Sequence, residues 1–137
     1  MKARFLIDAG PLVAALNPRD RNHEWTRARF EELPGPFATC EAVLSEASFL
    51  LDGKDALMAL FEEGHGEIVP LDREMGALRK LMAKYRSVPM SLADAGLVRL
   101  SELYPRLPVV TLDTDFLVYR RNRSQQIPLV APFVDQR

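Results

Sequence analysis

Two short runs rich in branched apolar residues each stop at an aspartate. Ala3 to Ile7 ends at Asp8, and Pro108-Val109-Val110-Thr111-Leu112 ends at Asp113. Runs of this kind suit strands buried on both faces. Longer segments of helical period lie between them, and that alternation is the pattern of a parallel α/β sheet. In such a sheet the carboxyl ends of the strands line the ligand crevice. Asp8 and Asp113 then belong at one rim. Aspartate is also a common turn former, which by itself accounts for either junction.

The other elements follow from period and punctuation. Ala9-Gly10-Pro11 is a turn that leads into a helix through Leu16, and Asn17-Pro18 breaks it. Asn22 to Leu33 reads as a helix, closed by Pro34-Gly35-Pro36. Phe37-Ala38 is a short strand, with Thr39 placed to cap a helix over Cys40 to Leu51. Lys54 to Glu63 is a further helix, and Glu67 to Val69 a strand. Asp72 is placed to cap a helix to about Tyr85, and Ser91 one to about Leu103. Ile127 to Ala131 is an edge strand, where the flanking Pro128 and Pro132 are tolerated. The whole, 1–137, reads as one domain.

Composition narrows the chemistry. One cysteine, Cys40, excludes an internal disulfide and a cysteine-rich zinc site, and two histidines cannot build a histidine metal site. A bound metal must be held mainly by oxygen, which favours Mg²⁺ or Mn²⁺. Net charge is −1, so no global basic field announces nucleic acid. No segment is long and apolar enough to span a membrane, and the opening apolar run is too short for a signal-peptide core. A cytoplasmic location is the default expectation.

Two further acids stand out. On a helical wheel Glu46 falls within the apolar arc of Ala42, Val43, Leu44, Ala47, Leu50 and Leu51, opposite the polar Glu41, Ser45, Ser48 and Asp52. A glutamate on a buried face needs a compensating cation such as a metal, and the alternative is a glutamate at the arc's edge that reaches solvent or pairs with an arginine. Ser91-Leu92-Ala93-Asp94 matches a capping box, which explains Asp94 structurally. A carboxylate fixed at a helix start is also oriented for a metal, and Ala93, Ala95, Leu97 and Val98 leave it little solvent. Leu112-Asp113-Thr114-Asp115-Phe116 adds Asp115, either a ligand or the cap of a short turn.

In order, Phe5-Leu6-Ile7-Asp8, the Thr39 to Glu46 segment, Ala93-Asp94-Ala95 and Val110 to Phe116 resemble the acidic positions of the PIN-domain ribonucleases. The resemblance is greatest to the VapC-type toxins of toxin–antitoxin pairs. It covers nearly the whole chain, and its specificity lies in the ordered series rather than in any one motif. Many relatives place a hydroxyl or amide just after the first aspartate. Here Ala9 and Gly10 stand there, and Thr111 is the residue able to supply a polar group instead.

The resemblance implies a three-layer α/β/α fold with a mainly parallel sheet of four to five strands. It implies metal-dependent hydrolysis of RNA, with Asp8, Asp94 and Asp113 holding Mg²⁺ or Mn²⁺. Glu46 would ligate a second ion or orient water, and Asp115 would be secondary. It also implies a small antitoxin partner and a homodimer. Arg120, Arg121 and Arg123 follow the last motif and are candidates for RNA phosphates.

Competing readings are weaker. A housekeeping RNA-processing nuclease of the same family needs no antitoxin. A receiver domain needs an acidic pair after its first strand and a lysine after a late one, and Ile127 to Val134 has no lysine. A dehalogenase-type phosphatase needs Asp-x-Asp where Asp8-Ala9-Gly10 stands. Retention of all four acids argues against an inactive binding module.

Overall fold

The computed structural model describes residues 1–134, so the domain expected over 1–137 includes 135–137, which lie outside the described residues. The elements run β1 (Phe5–Ile7), α1 (Ala9–Leu16), α2 (His23–Glu32), β2 (Phe37–Thr39), α3 (Glu41–Leu50), α4 (Lys54–Glu62) and β3 (Gly66–Ile68). They continue with α5 (Met75–Lys84), α6 (Leu92–Leu103), β4 (Val109–Val110), β5 (Arg120–Arg121), β6 (Gln125–Gln126) and β7 (Leu129–Val130). Among the described residues, five strands form one parallel sheet in the order β3-β2-β1-β4-β7, flanked by helices.

β1 is central because its three residues are all apolar and all buried. Burying a branched side chain of this size contributes roughly 1.5–3 kcal/mol. The chain first extends the sheet on one side of β1, through β2 to β3. It then crosses to the other side, through β4 to β7. The order therefore reverses between β1 and β4, and a sheet of this kind places its crevice at such a reversal. Counting sheet strands alone, the order is 3-2-1-4-5, whereas a receiver domain has 2-1-3-4-5. That removes the receiver reading. No helix among the described residues is long and apolar enough to cross a membrane.

Local chemistry corrects several boundaries. Thr39 does not cap α3. It ends β2, and its hydroxyl donates to the Ile7 carbonyl at 2.8 Å, tying two strand ends together. Asp72 opens a 3-10 turn, Asp72–Glu74, without capping it, and α5 starts only at Met75. The strand expected over Pro108 to Leu112 narrows to β4, although Thr111 N–H still donates to the Val130 carbonyl at 3.1 Å. The two-residue strands β5 and β6 pair antiparallel in a small separate ribbon. His23 Nδ1 donates to the Ala14 carbonyl at 2.7 Å, linking α2 to α1.

Candidate metal centre

Asp8 directly follows β1 and caps α1. Its Oδ1 accepts from Ala9 N–H at 2.8 Å, and its Oδ2 accepts the Thr111 hydroxyl at 2.7 Å. Only 6% of the residue is exposed. Burial pushes its pKa up to about 6, and the charges of Asp94 and Glu46 push the same way, while the hydrogen bonds from Thr111 and Ala9 oppose them. Each carboxylate oxygen retains one lone pair for another partner.

Asp94 stands at the third position of α6. The capping box is present: Ser91 Oγ accepts from Asp94 N–H at 3.0 Å, and Asp94 Oδ2 faces Ser91 N–H at 3.5 Å. The same Oδ2 accepts the Tyr119 hydroxyl at 2.8 Å. The capping box and the bond to Tyr119 thus coexist in one side chain. Tyr119 is fully buried, and its ring meets Tyr85 and Phe116 edge to face, with centroids 5.2 Å away in each case. Burial raises the phenol pKa far above its ordinary value, and Asp94 reinforces this, so the group stays a donor.

Beyond β4, Thr111 Oγ accepts from Asp113 N–H at 3.0 Å, and Asp113 Oδ1 accepts from Asp115 N–H at 2.9 Å. These bonds shape the 3-10 turn Thr114–Leu117. They bring the carboxylate oxygens of Asp94, Asp113 and Asp115 within 4.8 Å of one another. It is the only such group among the described residues. Asp115 therefore joins the cluster alongside Asp113 rather than behind it. Burial raises the Asp115 pKa, and Asp113 and Asp94 add to this. A divalent ion with ligands at about 2.1 Å sets opposing oxygens about 4.2 Å apart. Three hard carboxylates at this spacing fit such an ion.

Glu46 is the clearest correction. It faces the cleft but is exposed, not buried. α3 buries Val43 and Ala47 in the core, with Ala42 and Leu44 packed against it, while Phe49 is 86% and Leu50 58% exposed. The apolar arc read from the wheel thus includes residues that point outward. The Glu46 pKa is still raised, by partial desolvation first and then by Asp94 and Asp113.

Asp8, Glu46, Asp94 and Asp113 line one cleft of about 390 Å³ at the β1–β4 reversal, together with Gly10, Leu50 and Leu112. The arginines do not line it. Arg121 is buried, and its guanidinium donates to the Ser101 and Pro105 carbonyls at 2.8 and 3.2 Å, so the structure gives it no phosphate to hold. Arg120 donates to the Leu117, Val118 and Tyr119 carbonyls at 2.8, 3.3 and 3.1 Å, closing the turn after Asp115. Arg123 is exposed on the β5–β6 connection. Nothing in the sequence marks Tyr119 as part of the site, apart from the need of a buried tyrosine for a polar partner.

No family model matches the chain, and no curated protein matches it in sequence. Solved structures do. VapC20 of Mycobacterium tuberculosis, a sarcin–ricin-loop-cleaving toxin, is 19% identical at a TM-score of 0.67, over 81% of this chain and 91% of that one. A toxin–antitoxin complex from Klebsiella pneumoniae contains a chain 20% identical at a TM-score of 0.52, over 80% and 87%. With its central parallel sheet and flanking helices, this chain has the VapC-like PIN fold.

Proposed function

We propose that the protein is a Mg²⁺- or Mn²⁺-dependent endoribonuclease and the toxin of a toxin–antitoxin pair. The observation that carries this reading is the carboxylate set of the cleft. Asp94, Asp113 and Asp115 converge within 4.8 Å, and Asp8 and Glu46 line the cleft together with Asp94 and Asp113. No cation lines the cleft, so a phosphodiester can approach it only with divalent charge present.

When bound, the ion supplies a Lewis acid for the phosphate and lowers the pKa of its water. The protein's part is to hold oxygens and protons in place. Asp94, Asp113 and Asp115 provide ligand oxygens. Asp8 lies outside that group of three; fixed through both of its oxygens in the same cleft, it would hold the ion through water. Glu46 is anchored by no hydrogen bond that the structure records, and it stands at the open side. Its raised pKa suits it to take a proton from the attacking water. Tyr119 and Thr111 keep the ligands in one orientation.

VapC20 is a toxin that cleaves the sarcin–ricin loop, and the Klebsiella structure is a toxin–antitoxin complex. Those properties support RNA as the substrate here and a small antitoxin as partner. Exposed Phe49, Leu50 and Met58 on α3 and α4 offer apolar surface for an antitoxin or a second copy. The test is cleavage of mixed RNA by purified protein, freed of bound partners, with Mg²⁺, Mn²⁺ or chelator. Metal-dependent internal cuts that leave 5′-phosphates and vanish in Asp8→Asn are expected. RNA left intact at every metal concentration would sink the reading.

A further inference from the structure

A second cavity, of about 400 Å³, lies beside the carboxylate cleft and takes no part in the chemistry described above. Its walls include Ala42, Leu71, Met75 and Leu92, and two carboxylates, Glu41 and Asp72, also stand on its lining. Its volume falls within the roughly 300–1,000 Å³ of pockets that hold small organic groups. Three facts connect it to the cleft. Ala42, Glu46 and Leu50 succeed one another at four-residue steps on α3, which makes one continuous stripe. Ala42 belongs to the apolar cavity, while Glu46 and Leu50 belong to the cleft. Leu92 and Asp94, at the start of α6, are divided between the two in the same way.

We propose that this cavity receives one unstacked base of the RNA, and that the base is guanine. The inference rests on the ribonuclease reading above and extends it to substrate choice. A strand lying along α3 with its phosphate at the carboxylates presents its next base to the apolar cavity. Single-stranded RNA is read in this manner, by splaying bases into pockets and bonding their Watson–Crick edges. An ionised carboxylate only accepts hydrogen bonds. Guanine alone sets two donors side by side on that edge, N1–H and the N2 amino group, to match two carboxylate oxygens. Adenine and cytosine set an acceptor beside their amino group, and uracil flanks its one donor with two acceptors, each of which a carboxylate repels. Glu41 and Asp72 therefore select guanine, while Leu71, Met75 and Leu92 cover its faces.

Two measurements test this. In the first, wild type and a Glu41→Gln, Asp72→Asn double variant cut short RNAs that differ only by guanine, adenine, cytosine or uracil at each position beside the cut. Both substitutions are on exposed residues outside the carboxylate cluster, so the fold and the cleavage of RNAs without guanine at that position are expected to persist. Wild type should prefer guanine at one fixed position by roughly 5- to 100-fold, the discrimination of a good bidentate contact. The double variant should lose that preference. Cleavage without base preference, or a preference that survives in the double variant, overturns the proposal. In the second, the Met75 methyl resonance is followed as each nucleoside 5′-monophosphate is added without metal. A shift with guanosine monophosphate alone, lost in the double variant, supports the pocket even if no RNA is ever cut. Equal or absent shifts overturn it, as does a lysine-rich peptide that binds there in preference to guanosine monophosphate. Failure of RNA cleavage alone counts against the ribonuclease reading and leaves the second measurement to decide the pocket.

Discussion

Thr111 donates its hydroxyl to Asp8 Oδ2 across 2.7 Å, joining side chains 103 residues apart in sequence. Thr111 Oγ in turn accepts from Asp113 N–H at 3.0 Å, so one hydroxyl sets both strand-end aspartates. Thr111→Val keeps the shape and removes both bonds. Loss of an orienting partner behind a metal ligand costs about 10- to 100-fold in metal affinity or activity. Mn²⁺ titration by calorimetry should show a loss in that range, with the fold retained by circular dichroism. Unchanged affinity would mean that Asp8 needs no such orientation.

Tyr119→Phe removes only the hydroxyl that donates to Asp94 Oδ2, and it leaves the edge-to-face contacts with Tyr85 and Phe116. Mn²⁺ affinity is expected to fall about tenfold, while thermal stability changes by roughly 1 kcal/mol. A variant that binds metal as wild type does would reduce Tyr119 to a packing residue.

Asp8 gives the metal-free protein a defined pH dependence. Its pKa is about 6 when folded and 3.8 as a free side chain, so the folded state binds the proton more tightly. Stability must then fall as pH rises from about 4 to about 6, by on the order of 3 kcal/mol from this group. Asp8→Asn should flatten that part of the profile and raise metal-free stability at pH 7. Mg²⁺ should stabilise wild type at pH 7 and have much less effect on the variant. Chemical denaturation across pH, with and without Mg²⁺, checks both. A variant less stable than wild type at pH 7 would contradict the argument.

Gly96 lies where α6 meets the start of α3. A Cβ there would sit 2.6 Å from Cys40 Sγ and 3.2 Å from Leu71 Cδ1. Alanine favours a helix interior by about 1 kcal/mol over glycine, but overpacking a buried contact costs about 1–3 kcal/mol. Gly96→Ala should therefore destabilise the protein. Adding Cys40→Ala should return part of the loss, and a double-mutant cycle measures that coupling. Additive effects would show that the sulfur is not what the methyl meets.

The legible part of this protein was its strand ends. Period and punctuation placed Asp8 and Asp113 at one rim, and the serine three residues before Asp94 announced the capping box. The misreadings share one cause, which is that sequence shows periodicity but not direction. Apolar Leu50 widened the inferred core face of α3 and helped to sweep Glu46 into it, although Leu50 is 58% exposed. Arg120, Arg121 and Arg123 read as one basic set, in which Arg120 and Arg121 are strand neighbours. Successive strand residues face opposite ways, so one lies at the surface and the other is spent on interior carbonyls. Tyr119 belongs to the site only through a contact that folding creates.

The reversal of strand order between β1 and β4 also has a consequence in time. Asp8 is synthesised before Asp94, Asp113 and Asp115, with most of the fold's elements between them. Strand β1 sits against β4, so the carboxylates meet only after the segment through Asp115 has been made. At roughly 5–20 residues per second, a nascent chain spends several seconds with Asp8 exposed and no partners to complete the cluster. A chain broken off before Asp94 carries no assembled centre, so any activity waits for synthesis through Asp115.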